Sequence, residues 1–236
     1  MKLNKKKIVV VSIAVCLVAI LSMGTLAWFT DNDTTTNEFY VTDSTQNPDT
    51  VFSIDVKEIV DGSAQPVDNA SFEDILPGQV IGKEPYVYNT GAYDQYVRAT
   101  VTISDYAAFK AALGADYPLE AKVFGGINTA WVFDAKVEDT TADTVSYVFY
   151  YDGILAPYDA TADNKVVLFE TVTIPTELTQ QDMASNATGN VQNTNTLADG
   201  FTISVFAEAV QTENVGVTTE TGAAAAKVAF DFVAAN

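Results

Sequence analysis

The chain has no histidine and one cysteine, Cys16, among its 236 residues. The first absence removes the commonest metal ligand and the usual acid/base side chain. A zinc protease of the H-E-x-x-H kind, with two histidines on one helix face beside a glutamate base, is excluded, and so is any histidine-based triad. A G-x-S-x-G elbow is also missing, so the plentiful hydroxyls have no activating partner. One cysteine cannot make an internal disulfide. Ile13-Ala14-Val15 lacks the small residue that precedes a lipid-modified cysteine, and Cys16 reads as one more apolar side chain. Cations are scarce, 12 Lys plus Arg against 31 Asp plus Glu. Four of the cations (Lys2, Lys5, Lys6, Lys7) precede Ala27 and no acid does, which leaves 8 against 31 beyond it, a net charge of -23. A nucleic-acid partner is excluded on that charge, which favours solubility and opposes close approach of copies at low salt. No cofactor is expected. A sortase-type L-P-x-T-G motif and an apolar C-terminal tail are absent too, so retention on a cell would need an anchoring partner.

What is present begins with an apolar run from Ile8 to Met23 behind those four lysines, with Thr25 and Ala27 at minus three and minus one of a cut between Ala27 and Trp28. That is the grammar of a secretory signal peptide over residues 1–27. Ile8 to Phe29 is also long enough for a membrane anchor, since about 20 apolar residues span a bilayer. The cleaved reading predicts a secreted protein, placed in an extracellular matrix or on a cell surface.

The mature part reads as mostly β. In Val51–Val60, Phe52, Ile54 and Val56 alternate with Ser53, Asp55 and Lys57, and in Gln95–Ile103, Val97, Ala99, Val101 and Ile103 alternate with polar residues. Pro77-Gly78 predicts a type II turn. Ser104 or Asp105 is expected to cap a helix over Tyr106–Leu113, which Gly114 ends. Thr129–Val137 and Thr144–Tyr151 predict a strand pair, Lys165–Ile174 a further strand closed by Pro175, and Thr176–Ala184 a helical turn or two. Ser185–Thr196 reads as a surface loop. Phe201–Val210 predicts a strand with Phe201, Ile203, Val205, Ala207 and Ala209 inward. From Gly222 onward, alanine content favours helix while Val228–Phe232 alternates like a strand. The pattern predicts one domain, residues 48–236, as a β-sandwich with one or two short helical insertions, and leaves jelly-roll and immunoglobulin-like topologies open.

Three stretches carry a family resemblance. Ala27-Trp28-Phe29-Thr30-Asp31 with Asn37-Glu38-Phe39 resembles the processing-site segment of the TasA and camelysin (CalY) family, exported biofilm-matrix proteins of Gram-positive bacteria. Leu76-Pro77-Gly78-Gln79-Val80, then Pro85–Gly91 and Tyr96–Ala99, is similar to the family's Pro-Gly turn and the Asn-Thr-Gly-containing strand pair after it. Phe201–Gln211 is similar to its last core strand. From Asp105 to Asn195 the likeness is weak. The resemblance implies a jelly-roll-like sandwich, processing by a signal peptidase of the SipW type, and fibres of the chain itself, with an accessory nucleating or anchoring protein.

It also implies that the N-terminal segment, residues 28–47, is a flexible donor strand for a neighbouring subunit, and the residues give reasons of their own. Freed by cleavage, Trp28 and Phe29 at one end and Phe39, Tyr40 and Val41 at the other would leave large apolar side chains in water. Burying Trp28, Phe29 and Phe39 in a partner could contribute about 1.5 to 3 kcal/mol each before the ordering cost. The alternative is that the segment returns to its own domain as an edge strand. Asp31-Asn32-Asp33 lacks the spacing of a calcium loop and reads as solvated acid. Tyr147, Tyr150 and Tyr151 read as packing residues. A different class of function, a monomeric adhesin or carbohydrate-binding sandwich, would use the aromatic Tyr147–Tyr158 region. The main expectation is a non-enzymatic structural subunit of extracellular biofilm-matrix fibres.

Overall fold

The computed structural model describes residues 30–34, 52–61, 63, 65–72, 74–162, 164–179, 182, 197, 200–213, 215 and 219–235. The expectations for the export segment and for Ser185–Thr196 lie outside the described residues. The chain is mostly β, with two antiparallel sheets and few helices. One sheet has the order β1 (Thr30–Thr34), β10 (Ile203–Gln211), β4 (Gln95–Ser104), β7 (Thr144–Tyr151), β6 (Trp131–Asp139). The other runs β2 (Ile54–Val60), β3 (Val80–Asn89), β9 (Thr171–Thr173), β5 (Phe124–Gly125), with β8 (Val166–Val167) also on β3.

The alternation seen in the sequence sets the inner faces. Val97, Ala99, Val101 and Ile103 of β4 are fully buried, and Val205, Ala207 and Ala209 of β10 lie beside them. Phe52, Ile54 and Val56 supply the facing layer, and residues of both sheets join one core cluster. Gly78, at φ 80°, makes the expected turn, closed by the Gln79 N–H on the Leu76 carbonyl at 3.0 Å. Although β3 and β4 follow one another around Asn89-Thr90-Gly91, they do not pair: each belongs to a different sheet.

Other expectations change. Lys165–Ile174 is two short strands, because Leu168 and Phe169, neighbours in sequence, are both buried and break the alternation a continuous strand needs. No helix forms among the described residues of 176–184. The first helix, α1 (Tyr106–Leu113), has the expected bounds but a different cap. Asp105 stands at its N-cap with φ 56° and makes no cap bond. Asp143, in the β6–β7 turn, takes that place, its carboxylate accepting the Ala107 N–H at 2.7 Å and its carbonyl the Tyr106 N–H at 3.2 Å. A second helix, α2 (Leu119–Val123), was not anticipated; it buries Leu119 and Val123. The C-terminal segment is helix α3 (Gly222–Ala235), laying Ala223, Ala226, Ala229 and Phe230 on the outer face of the first sheet against Tyr150 and Val210.

Candidate assembly edge

The first sheet has two edges of opposite character. At one, Thr30 to Thr34 run antiparallel to β10, with Thr30 opposite Val210, Asp31 opposite Ala209, Asn32 opposite Glu208, Asp33 opposite Ala207 and Thr34 opposite Phe206. The occupant, TDNDT, has no apolar residue, although two of its positions lie opposite the inward-facing Ala207 and Ala209. Strand pairing here is therefore main-chain pairing, which is indifferent to side-chain identity. Behind the edge, Arg98 of β4 donates from Nε to Glu208 of β10 at 2.8 Å and lies 4.6 Å from the Phe230 ring centre, so β4, β10 and α3 form a fixed platform.

The cleavage pair Ala27 and Trp28, and the donor residues Trp28, Phe29, Phe39, Tyr40 and Val41, lie outside the described residues. Within the single chain, Thr30–Thr34 takes the intramolecular edge position that the sequence left as the alternative to donation.

The opposite edge is β6, exposed along nearly its whole length, including Val132, Phe133 and Val137. A bulge between Phe133 and Ala135 interrupts its register with β7. Its charges are tied inward: Asp134 to Lys227 of α3 at 3.2 Å, Lys136 to the Tyr106 hydroxyl at 2.7 Å, and Glu138 to Lys110 and the Tyr106 hydroxyl at 3.0 Å each. Hydrogen bonds from Lys110, Lys136 and Tyr106, in that order of effect, lower the Glu138 carboxyl to about 2. Bulges and inward-tied charges are the devices that keep an exposed strand edge from pairing indiscriminately.

The aromatic face expected for an adhesin is divided. Tyr147 points into the core and Tyr150 lies beneath α3, while Ile154 and Tyr158 are exposed. Burial first, and the nearby Glu120 carboxylate second, push the Tyr147 hydroxyl far above its ordinary range. Among the described residues no group of histidine, cysteine or carboxylate side chains is placed to hold a metal, and no helix is long and apolar enough to cross a membrane. One buried ion pair escaped the sequence reading: Glu58 of β2 and Lys83 of β3 join their charges inside the second sheet's inner layer.

The molecule is thus a two-sheet antiparallel protein whose one sheet edge is occupied by its own polar N-terminal strand. No family model, no curated protein and no solved structure matches the chain.

Proposed function

We propose that this protein is an exported structural subunit of extracellular matrix fibres, a jelly-roll-like sandwich that polymerises by giving its N-terminal strand to the next copy. The observation that carries this reading is the position beside β10, filled by a strand without a single apolar residue. Any strand offering the same backbone groups can replace it. A donated segment advanced by eight positions would set Phe39 opposite Ala209 and Val41 opposite Ala207, where Asp31 and Asp33 now stand. The alternation is kept by an even shift, and two apolar residues take the positions of two acids. The resemblance to TasA and camelysin at the junction and last strand supports the same function, as does an export-type N-terminus cut between Ala27 and Trp28. We assign no enzymatic activity to the protein.

The test is removal of residues 28–41 from the exported form. The shortened protein is expected to stay folded and monomeric and to lose filament formation in electron micrographs. Filaments from it would defeat the proposal.

A further inference from the structure

The direction of β1 decides which ends of two copies meet when a strand is exchanged. β1 enters beside Val210 and leaves beside Phe206, against a partner, β10, that runs from Ile203 to Gln211. Gln211 lies opposite Gln95, the first residue of β4, and there the two sheets are joined. The Gly91 N–H and the Gln95 Nε2 both donate to the Ser53 carbonyl, at 3.1 and 2.9 Å, one residue before β2 begins. β1 and β2 thus start from the same end of the molecule, the near end. The far end holds the Pro77-Gly78 turn that leads into β3, whose ten residues place Val80 about 30 Å from Asn89. The Gly78 N–H donates there to the Ile174 carbonyl at 2.9 Å, and Tyr117, beyond α1, reaches Glu177 beside that turn at 2.9 Å. A strand donated in the place of β1 therefore leaves the acceptor toward its far end, whereas the donor's own sheets begin at Phe52 and Ser53, at the donor's near end. With Val41 opposite Ala207, four residues from Ile203, about 13 Å of β10 remains to be passed. The eleven steps from Val41 to Phe52 span at most about 40 Å, which leaves about 27 Å, less than the length of β3. So short a connection brings the near end of the donor against the far end of the acceptor.

We propose, resting on the strand-donation reading above, that the turn at residues 76–80 on the far end of one copy packs against the loops of Tyr93 and Ile154 on the near end of the next. Both ends carry large apolar side chains in solvent: Leu76 is 60% exposed and Val80 58% at the far end, Tyr93 48% and Ile154 51% at the near end. Their backbones are fixed before any contact forms. The buried Asn89 donates from Nδ2 to the carbonyls of Tyr93 at 2.6 Å and Leu155 at 2.9 Å, which ties the two near-end loops together. At the far end the Leu76 N–H donates to the Gln79 Oε1 at 2.9 Å. Side chains on prefixed loops lose less freedom on binding than side chains on mobile ones. Two residues per end fall well short of the roughly 800 Å² per partner that a free interface takes, and the exposed Asp61, Asp94 and Asp152 at these ends oppose the approach of untethered copies. A donated strand removes that barrier, because it holds the two ends at a high effective concentration. The contact belongs to the fibre alone, which explains how such ends remain compatible with a free monomer.

Cysteine cross-linking tests this cleanly, since Cys16, the only cysteine, precedes the cleavage pair and an exported chain carries no background thiol. Filaments of L76C/Y93C treated with a short bismaleimide are expected to yield a ladder of covalent oligomers beyond the dimer on a denaturing gel. Each single variant should give no more than dimer, and V137C/Y93C, with one thiol on β6, should give no ladder. L76S/V80S should keep the parent's far-ultraviolet circular dichroism spectrum and elongate at least fivefold more slowly in light scattering, or not at all. The proposal is overturned if filaments form and L76C/Y93C gives no ladder, if V137C/Y93C gives one as readily, or if L76S/V80S grows like the parent. Absence of filaments from the parent chain overturns strand donation itself, and this contact with it.

Discussion

Glu58 and Lys83 show how one pair of side chains governs a layer. Both are buried, 2% and 7% exposed, on neighbouring strands of the second sheet. Taking charges out of water is costly, and the pair offsets that cost only while both members remain. Lys83→Met is therefore expected to lower the unfolding free energy by about 3 to 5 kcal/mol, measured by urea denaturation, with Glu58→Leu/Lys83→Met losing less than either single change. A second prediction concerns Glu138. Its folded-state carboxyl titrates at about 2, below the ordinary glutamate value. A depressed carboxyl contributes stability above its unfolded pKa and loses that contribution as pH falls through the folded value. The acid limb of stability between roughly pH 4.5 and 2 should flatten in Glu138→Gln, and carbon-detected NMR titration should place the parent's midpoint near 2. A midpoint in the ordinary glutamate range would contradict the three-donor geometry. The burial of Glu58 was legible in one respect, since it continues the inward series Phe52, Ile54, Val56. Its partner was not, because Lys83 lies 25 residues away, where only the fold brings it near.

Among the elements, α3 is held to the first sheet by one small apolar cluster. Its anchor is Phe230, 6% exposed, edge-on to Tyr150 at 5.8 Å. Phe230→Ala is expected to cost about 3 to 5 kcal/mol and to loosen the helix from the sheet, visible as faster amide exchange over residues 222–235. The strand reading of Val228–Phe232 failed because five residues fit period two by chance, while the buried set Ala225, Ala226, Ala229, Phe230 recurs at helical spacing. The short α2 escaped notice for a related reason: five residues offer too little periodicity to distinguish it from loop. By contrast β4 was plain in the sequence, since a central strand with one buried face must alternate throughout its length. The guarded edge gives the next expectation. Replacing Lys136 and Glu138 of β6 by valine removes two of its charges and should produce concentration-dependent association in light scattering while the monomer remains folded.

At the level of the whole molecule, charge decides how copies meet. The part beyond Ala27 carries a net charge of -23, and at physiological ionic strength repulsion is screened beyond about 8 Å. Association should accelerate with added salt and with mild acid, both followed by light scattering; faster growth in low salt at neutral pH would indicate that specific ion pairs drive it instead. The class of fold was legible from alternation and turns, but the strand order was not, because pairing partners such as β1 and β10 share no local signal. That pairing has a kinetic side. Thr30 is matched with Val210, 180 positions further along the chain. A chain emerging from its N-terminus exposes the first strand long before its partner exists, and closing so long a loop is slow. In the proposed assembly a completed β10 on another copy would be the earlier acceptor throughout that interval, and protein density at the site of emergence, rather than the affinity of the finished strand, would then set whether a chain closes on itself or on its neighbour.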